Sequence, residues 1–511
     1  MMVRAMQTGF GAAVTVAAAG VLIVEIVAIR LMAPLVGMTI ETWSAVIAAV
    51  LAGLSLGHWW GGRLAERASA AAGQRVLAWA FIAAAAGSLL PLLLLGPVMA
   101  LLFAGLGRLG ATLAGSLLFF APPAVAGGIV APLAARLAID ATPDQRGRIL
   151  GRLYALGAAG SIAGVLLAGF IMLAWLGSAL SLVAVALVFS AMAVVLWAAA
   201  GGGRGRMLPA LALAMPLAGL AVAMDGVPGS VAGWCDMESR YYCIRVIADE
   251  TRGPATRLLL LDGLVHSASD TLNPAASAIE PHRFADAVAR QAFAGRDDVR
   301  VFVLGGGGLT VPDLWRQRYA SGRIVAAEID PVVTATAVAA LGVRVAPPLS
   351  VVHADGRMAL QANSGEPFDI IFADAYGGLT VPPHLTSLEF ARLVRLRLTP
   401  QGVYVLNLID DRTEPRFAAA MVRTLGMVFE SVAVWTHDGP VISRQQHFNV
   451  VAGATAALPD AMADVRAENS DATAGTGWHR MSAEALLAMA PGGPILTDDY
   501  APVDRLVAGR W

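Results

Sequence analysis

Val301-Phe302-Val303-Leu304-Gly305-Gly306-Gly307-Gly308 is the stretch on which the reading of this 511-residue chain turns. Four consecutive apolar residues run straight into four glycines. A short run that is apolar on both faces fits a strand buried on both sides. Glycine lets the backbone turn tightly and approach a ligand closely. The pattern then repeats: Ile324–Ala327 ends at Glu328-Ile329-Asp330, Leu349–Val352 at His353-Ala354-Asp355-Gly356, Phe368–Phe372 at Ala373-Asp374-Ala375-Tyr376, and Val403–Leu406 at Asn407. Helix-like stretches separate these runs. The spacing predicts an α/β domain with a mainly parallel sheet covered on both faces.

Polar groups follow each run, at the carboxyl edge where open α/β sheets bind ligands. An acid about 20 residues beyond a glycine-rich turn is the usual acceptor for a ribose hydroxyl, and Glu328 has that place. Asp355, one strand on, can accept from an adenine amine. With Asp374 these acids and the turn point to an adenosine-containing ligand. No Gly-Lys-Ser or Gly-Lys-Thr is present, which excludes a phosphate-binding loop of that kind. Thr310 breaks the strict Gly-x-Gly-x-x-Gly pattern at its sixth place, although spacing alone does not exclude NAD.

Upstream the chain is a different object. It is 57% hydrophobic and 14% charged overall, against roughly 25% charged in ordinary soluble domains. Residues 1–225 hold 12 arginines and 6 acids, and residues 226–511 the other 24 arginines and 31 acids; there is no lysine. The absence of a basic run and the negative second half argue against nucleic-acid binding. The run from Phe10 to Ala33 is longer than a signal peptide's apolar core. Spans are expected near 10–33, 43–60, 77–96, 111–135, 153–174, 179–199 and 207–224, each close to the roughly 20 residues that cross a bilayer. Residues 1–225 therefore read as an all-α polytopic membrane bundle of about seven helices, in contact with lipid. Gly53–Gly57 and Gly157–Gly160 are rich in the small residues that let helices approach closely in lipid. Glu25 lies inside the first span with Arg30 near its end. Such a carboxylate is either functional or paired structurally, with Arg30 or another helix. Cys235 and Cys243 make no metal pattern, and no metal site is expected. A disulfide between them needs an oxidising compartment; otherwise they are two small apolar residues.

From Glu238 to Asp504 the sequence resembles the polyamine aminopropyltransferase (spermidine synthase-like) family, within the class I S-adenosylmethionine-dependent, Rossmann-like fold. Glu238–Val246 resembles the family's first hairpin and Leu261-Asp262-Gly263-Leu264-Val265-His266 its Leu-Asp-Gly-x-x-Gln strand. Glu328-Ile329-Asp330 and Asp355-Gly356 match its nucleoside-binding motifs, and Asp374 the first aspartate of its Asp-x-x-Asp. The apolar half resembles the membrane domain of fused spermidine synthase-like proteins through Glu25, Arg30, Pro34 and Gly57 to Arg63. The resemblance implies a linker and small β-subdomain over 226–285 and a nucleotide-binding domain over 286–511. It implies a cosubstrate, S-adenosylmethionine or its decarboxylated form, held by Gly305, Gly306, Gly307, Gly308, Glu328, Asp355 and Gly356. It implies Asp374 and Tyr376 as catalytic residues, and Tyr242, His266 and His384 as acceptor-binding residues. His384 lies in Leu379–Thr386, a loop over the site in the family. Leu496–Asp504 resembles the family's C-terminal segment, whose acids either line the acceptor pocket or make a structural turn.

Departures from the family pattern bear on the substrate. Gly308 stands where the family carries an aspartate, Gly377 replaces the second aspartate of Asp-x-x-Asp, and Tyr242 and His266 replace glutamines. Losing acids weakens a site for cationic amines and removes repulsion against the carboxylate of intact S-adenosylmethionine. The resemblance thus implies aminopropyl transfer to a small amine or a membrane-resident acceptor. Methyl transfer, or a transporter or sensor with a ligand-binding but inactive domain, are the rival readings. A homodimer is compatible with the sequence. The expected location is an inner membrane. Arginines at 63, 67 and 75, at 136, 146, 148 and 152, and at 204 and 206 mark three cytoplasmic loops by the positive-inside rule. With seven spans that places the second domain outside, whereas a donor made in the cytosol favours the cytoplasmic side.

Overall fold

The computed structural model describes residues 2–201, 207–225, 234–272, 279–378, 380–437, 445–453 and 478–507. They fall into two units, Met1–Cys243 and Ile244–Trp511. The first is helical: α1 (Met2–Val36), α2 (Ile40–Arg67), α3 (Ala70–Ala141), α4 (Arg146–Leu167), α5 (Leu173–Trp175), α6 (Gly177–Ala199) and α7 (Met207–Asp225). A π-helical turn, Ala168–Met172, joins α4 to α5. Thr39 and Ser69 start α2 and α3 by accepting from the amides of Thr42 and Ala72, which satisfies donors that a helix start leaves free.

Five of these helical segments are long and apolar enough to cross a membrane: Thr8–Val36, Ile40–Arg67, Ala70–Ala141, Pro143–Trp175 and Gly177–Ala199. The expected spans 77–96 and 111–135 both fall in α3, whose 72 residues would extend about 108 Å if straight. The helix is not straight. Gly107 has φ 65° and ψ −178°, outside the helical region, and the chain doubles back there. A Cβ on Gly87 would sit 3.0 Å from Pro123 Cδ, and one on Gly115 2.3 Å from Met99 Sδ. The two expected spans are therefore two antiparallel arms. The seventh expected span coincides with α7, which carries Pro216 and has a shorter apolar stretch, Leu211–Ala221.

Helix packing follows the small residues. Gly53, Gly57 and Gly61 line one face of α2, where a Cβ would meet the carbonyls of Ala121, Val125 and Ile129 at 2.6, 2.2 and 2.7 Å. Only glycine permits that approach, which gives the backbones the contact that burial of apolar surface cannot supply in lipid. Glu25 and Arg30 do not pair among the described residues. They are five positions apart on α1, a spacing that does not share a helix face. Arg30 instead donates to Ser239 O at 3.1 Å and to Tyr241 O. Of the two readings left open for the cysteines, the structure has the disulfide, Cys235–Cys243.

After the two-residue β1 (Met237–Glu238), strands β2 (Cys243–Ala248), β3 (Thr256–Leu261) and β4 (Leu264–Asp270) form an antiparallel meander. The β3–β4 turn is Asp262-Gly263, with φ of 48° and 82°, the positive values that two-residue hairpins favour. The larger sheet has eight strands: β5 (Arg300–Leu304), β6 (Arg323–Ala327), β7 (Leu349–Val352), β8 (Phe368–Ala373), β9 (Leu398–Asp411), β10 (Ser431–His437), β11 (Gln445–Gly453) and β12 (Trp478–Met481). Their order is β12-β10-β11-β9-β8-β5-β6-β7. The segment β7-β6-β5-β8-β9 is parallel; β11, β10 and β12 add antiparallel pairs. The sheet is thus mixed, and the fifth strand continues past its expected end at Asn407. It does so because β11 pairs with it from Gln445↔Asp411 to Gly453↔Val403, leaving Asn407 in mid-strand opposite Asn449. Strand order reverses beside β5, whose neighbours are β6 and β8. Ligands bind at such a switch point in open α/β sheets.

Candidate functional site

Gly305 and Asp374 leave the two strands at the switch point side by side. Asp374 N donates to Leu304 O at 2.9 Å, and Gly305 N to Ala327 O at 3.0 Å. Gly305 has φ 86°, and a Cβ there would lie 2.5 Å from Asp374 O. Conformation and space both require glycine. Gly307, at φ 47°, has open space where a Cβ would be, its nearest neighbour being His266 O at 3.8 Å. Gly308 is different. A Cβ there would lie 2.5 Å from Ser267 Cβ and 2.8 Å from Leu341 Cδ1.

Glu328 is buried at the end of β6. Its Oε2 accepts from Gly307 N at 2.8 Å and its Oε1 from Asp330 N at 3.0 Å. Burial pushes its pKa up to about 7, against the pull of the two amides. Each oxygen keeps a lone pair for a further donor. Asp330 caps α10 (Pro331–Ala340), accepting from Val332 N at 2.9 Å. Asp355 caps α11 (Gly356–Ala362) through the amides of Arg357 and Met358 at 3.0 and 3.1 Å, and its Oδ2 lies 2.7 Å from His384 Nε2. A Cβ on Gly356 would lie 2.6 Å from Leu304 Cδ2, so that leucine would have to shift.

Asp374 has both carboxylate oxygens engaged. His282 Nε2 lies 2.9 Å from Oδ2, and Asn407 Nδ2 donates to Oδ1 at 2.8 Å. Burial raises its pKa, but the bonds from His282 and Asn407 and the nearby imidazoles outweigh it and hold the group below the ordinary value. The network continues both ways. His447 Nδ1 lies 2.8 Å from Asn407 Oδ1, which makes that nitrogen the donor. Thr310 Oγ1 lies 3.4 Å from His282 Nδ1 and 3.0 Å from Ser267 Oγ. Tyr376 donates its hydroxyl to Asn407 O at 3.0 Å, and burial raises its pKa well above the ordinary value. His266 is held neutral: desolvation lowers it to about 4, with Asp374 opposing and His282 reinforcing.

The second unit therefore gathers Gly305–Gly308, Glu328, Asp374, Tyr376 and His266 around the switch point. His384 is on Asp355. Asp498 is taken up by Arg357 at 2.6 Å and Ser387 at 2.5 Å, and Asp504 by Thr380 at 2.9 Å; these C-terminal acids act as structural ties. Leu379 lies outside the described residues, as do Arg204 and Arg206. Tyr242 belongs to the first unit, where its carbonyl accepts from Ser239 N at 2.9 Å. Three network members were missed in sequence. His282 sits in the first turn of α8 (Glu280–Ala292), and its signal was a histidine on the buried face of an amphipathic helix. Glu280 ties that turn to β11 by accepting from Asn449 Nδ2 at 2.9 Å. Asn407 reads in the sequence as a strand end only, and His447 comes into view only with the antiparallel pairing of β11 and β9. Among the described residues no cluster fit to hold a metal ion occurs.

The fold defines a two-part protein, a helical region with helices of membrane-crossing length followed by a Rossmann-like α/β domain. The chain is similar over part of its length to polyamine aminopropyltransferases. Over 96 residues it is 35% identical to a probable polyamine aminopropyl transferase of Bifidobacterium longum (strain NCC 2705), covering 18% of this chain and 21% of that one. Over 110 residues it is 30% identical to a polyamine aminopropyltransferase of Vibrio vulnificus (strain CMCP6), covering 21% and 37%. The chain thus spans well under half the length of these curated relatives. No family model matches. Similar solved structures include a probable spermidine synthase from Corynebacterium glutamicum ATCC 13032 (22% identity, TM-score 0.44, 52% of this chain and 95% of that one). Human methyltransferase-like protein 13 in complex with SAH is another (21%, 0.31, 38% and 97%).

Proposed function

We propose that the protein is a membrane-anchored transferase that moves an alkyl group from an adenosyl sulfonium donor to an amine, with aminopropyl transfer its default chemistry. The observation that carries this is the buried, ionised Asp374, held by His282 and Asn407 at the switch point beside the glycine-rich turn and Glu328. In this reading Glu328 accepts from the ribose hydroxyls, Gly305–Gly308 give the backbone's close approach, and Asp355 with Gly356 borders the adenine. The amine nitrogen forms a C–N bond as the C–S bond breaks. The C–S electron pair stays on sulfur, which leaves as a thioether, and the alkylammonium formed gives its proton to solvent. Asp374 aligns the neutral amine by accepting its N–H and stabilises the positive charge that grows on nitrogen as the bond forms.

Methyl transfer is the second reading, favoured by Gly308 and Gly377 where the relatives' pattern has acids for a cationic substrate. Calorimetry on the purified full chain separates the two. Tight binding of decarboxylated S-adenosylmethionine alone supports aminopropyl transfer; preference for the intact donor supports methyl transfer, which product mass then checks. Failure to bind either donor or methylthioadenosine would sink both and leave a transporter or sensor.

Glu328 makes the same binding depend on pH. A carboxylate accepts from ribose more strongly when ionised, and its ionised fraction rises as pH passes about 7. Affinity for methylthioadenosine is expected to rise about tenfold between pH 6 and pH 8 if only the ionised form binds. Glu328→Gln should flatten that profile; an unchanged slope would remove Glu328 from the ribose site. For the free fold the sign is opposite. A carboxyl raised from 4.5 to about 7 contributes stability that is complete below 4.5 and lost as pH rises through 7.

A further inference from the structure

We infer that the arginine-rich end of the helical unit faces the cytosol and that residues 234–243, closed by their disulfide, lie at the opposite, oxidising face, so that the α/β domain they lead into is outside the cytosol. The argument uses the first unit alone and does not depend on the reaction proposed above.

Contacts fix which helix ends lie together. A Cβ on Gly73, at the start of α3, would sit 2.9 Å from Leu137 Cδ2, near the end of the same helix. The doubled-back α3 thus begins and ends at one end of the bundle. The two-residue turn after Arg67 and the short turn Pro143–Gln145 before α4 hold the end of α2 and the start of α4 there as well. At the other end Arg108 Nη2, one residue past the reversal in α3, donates to Val36 O at the end of α1 at 2.9 Å. The start of α2 at Ile40 is four residues further on.

Residues 238–241 sit at this second end. Glu238 Oε2 accepts from both Ser178 N and Ser178 Oγ at 2.8 Å, at the start of α6. Arg30, near the end of α1, donates to Ser239 O at 3.1 Å and to Tyr241 O. The segment is therefore tied to the bundle by charge-assisted bonds from two helices.

The two ends differ in charge. Arg63, Arg67, Arg75, Arg136, Arg146, Arg148 and Arg152 flank the first end, and Arg30, Arg108 and Arg240 the second. Arg30 and Arg108 are spent on backbone carbonyls. Arginine within about 15–20 residues of span ends marks the cytosolic side, and seven against three selects the first end.

A chemically independent observation gives the same side. Cys235 and Cys243 are the chain's only cysteines, and they are bonded to each other within the tied segment. Disulfides persist in oxidising compartments and are reduced in the cytosol. The bond forms by exchange with the disulfide of an exported oxidoreductase. The two thiol protons and two electrons pass to the partner, whose disulfide becomes two thiols. Charge and redox chemistry thus agree against the cytoplasmic placement that donor supply favours. On this topology the domain's ligands are those present outside the cytosol or delivered there by a transport step.

The test fuses the full chain, at its C-terminus, to alkaline phosphatase, which needs an oxidising compartment, and separately to green fluorescent protein, which fluoresces when it folds in the cytosol. The phosphatase fusion is expected to be active and the fluorescent one dark, with normalised signals differing by about tenfold or more. A fluorescent fusion with inactive phosphatase would overturn the inference. The native chain gives a second readout: a membrane-permeant maleimide should label it only after reductant is added, and Cys235→Ser with Cys243→Ser should not be labelled at all. Labelling without reductant would overturn the disulfide and, with it, the redox half of the argument.

Discussion

Asp374→Asn is expected to lower the turnover number by about 10²- to 10⁴-fold while leaving methylthioadenosine binding within about twofold. The reason lies in what Asp374 can and cannot do. Its pKa is held below 3.8, whereas an alkylammonium has a pKa near 10.4. Removing that proton in the ground state is strongly unfavourable. In the proposed reaction Asp374 therefore accepts an N–H of the neutral amine and aims its lone pair, with its charge gaining value as the nitrogen becomes positive. An asparagine amide replaces one acceptor by a donor, set against Asn407 Nδ2 or His282 Nε2, both now 2.8–2.9 Å away. Stopped-flow single turnovers, with nucleoside binding measured alongside, separate the chemical step from binding. Equal loss of both would mean that Asp374 merely supports the turn at Gly305, and unchanged turnover would remove it from catalysis. His282→Gln is the companion variant: it tests the positioning partner, and its effect should appear in turnover rather than in nucleoside affinity.

Much of the second domain was readable because its information is local. The strand at Val301–Leu304, the turn at Gly305–Gly308 and the acids Glu328, Asp355 and Asp374 follow one another at parallel-sheet spacing, and the structure sets them at successive strand ends. What was not readable is non-local. Asn407 reaches Asp374, and His447 reaches Asn407, only because β11 pairs antiparallel with β9, a register that periodicity cannot give. His282 arrives from 92 residues away in sequence. His384, which the resemblance places with the acceptor, is set against Asp355 by the short 3₁₀ turn Pro383–Leu385. In the helical half each expected apolar run coincides with a helix or an arm of one. The break expected between residues 96 and 111 is present as the reversal at Gly107, inside one long helical segment.

Restoring the two acids that the aminopropyltransferase pattern carries should give opposite results, because the two glycines have different surroundings. Gly308→Asp is expected to fail structurally. Its Cβ would overlap Ser267 Cβ at 2.5 Å and Leu341 Cδ1 at 2.8 Å, and the Ser267–Thr310–His282 chain behind it has little slack. Overpacking of this kind costs about 1–3 kcal/mol or more, which for a domain of this size lowers the melting temperature by roughly 2–12 °C. Gly377→Asp should be accommodated, since the nearest atoms to its Cβ are Pro382 Cγ at 3.8 Å and Thr380 O at 3.9 Å. There the melting temperature should hold, and affinity for a polyamine should rise about tenfold, the effect of one added charge-assisted hydrogen bond. Thermal unfolding and calorimetry with putrescine check both. If Gly377→Asp folds normally and still gains nothing, the acceptor pocket is not built for a polycation. The packing of Gly308 against Ser267 is then a property of a site shaped for another nucleophile, and the intact sulfonium donor becomes the better substrate to pursue. If Gly308→Asp folds and binds polyamine tightly, the turn is more pliable than its contacts imply, and the pocket differs from an aminopropyltransferase's by two charges rather than by shape.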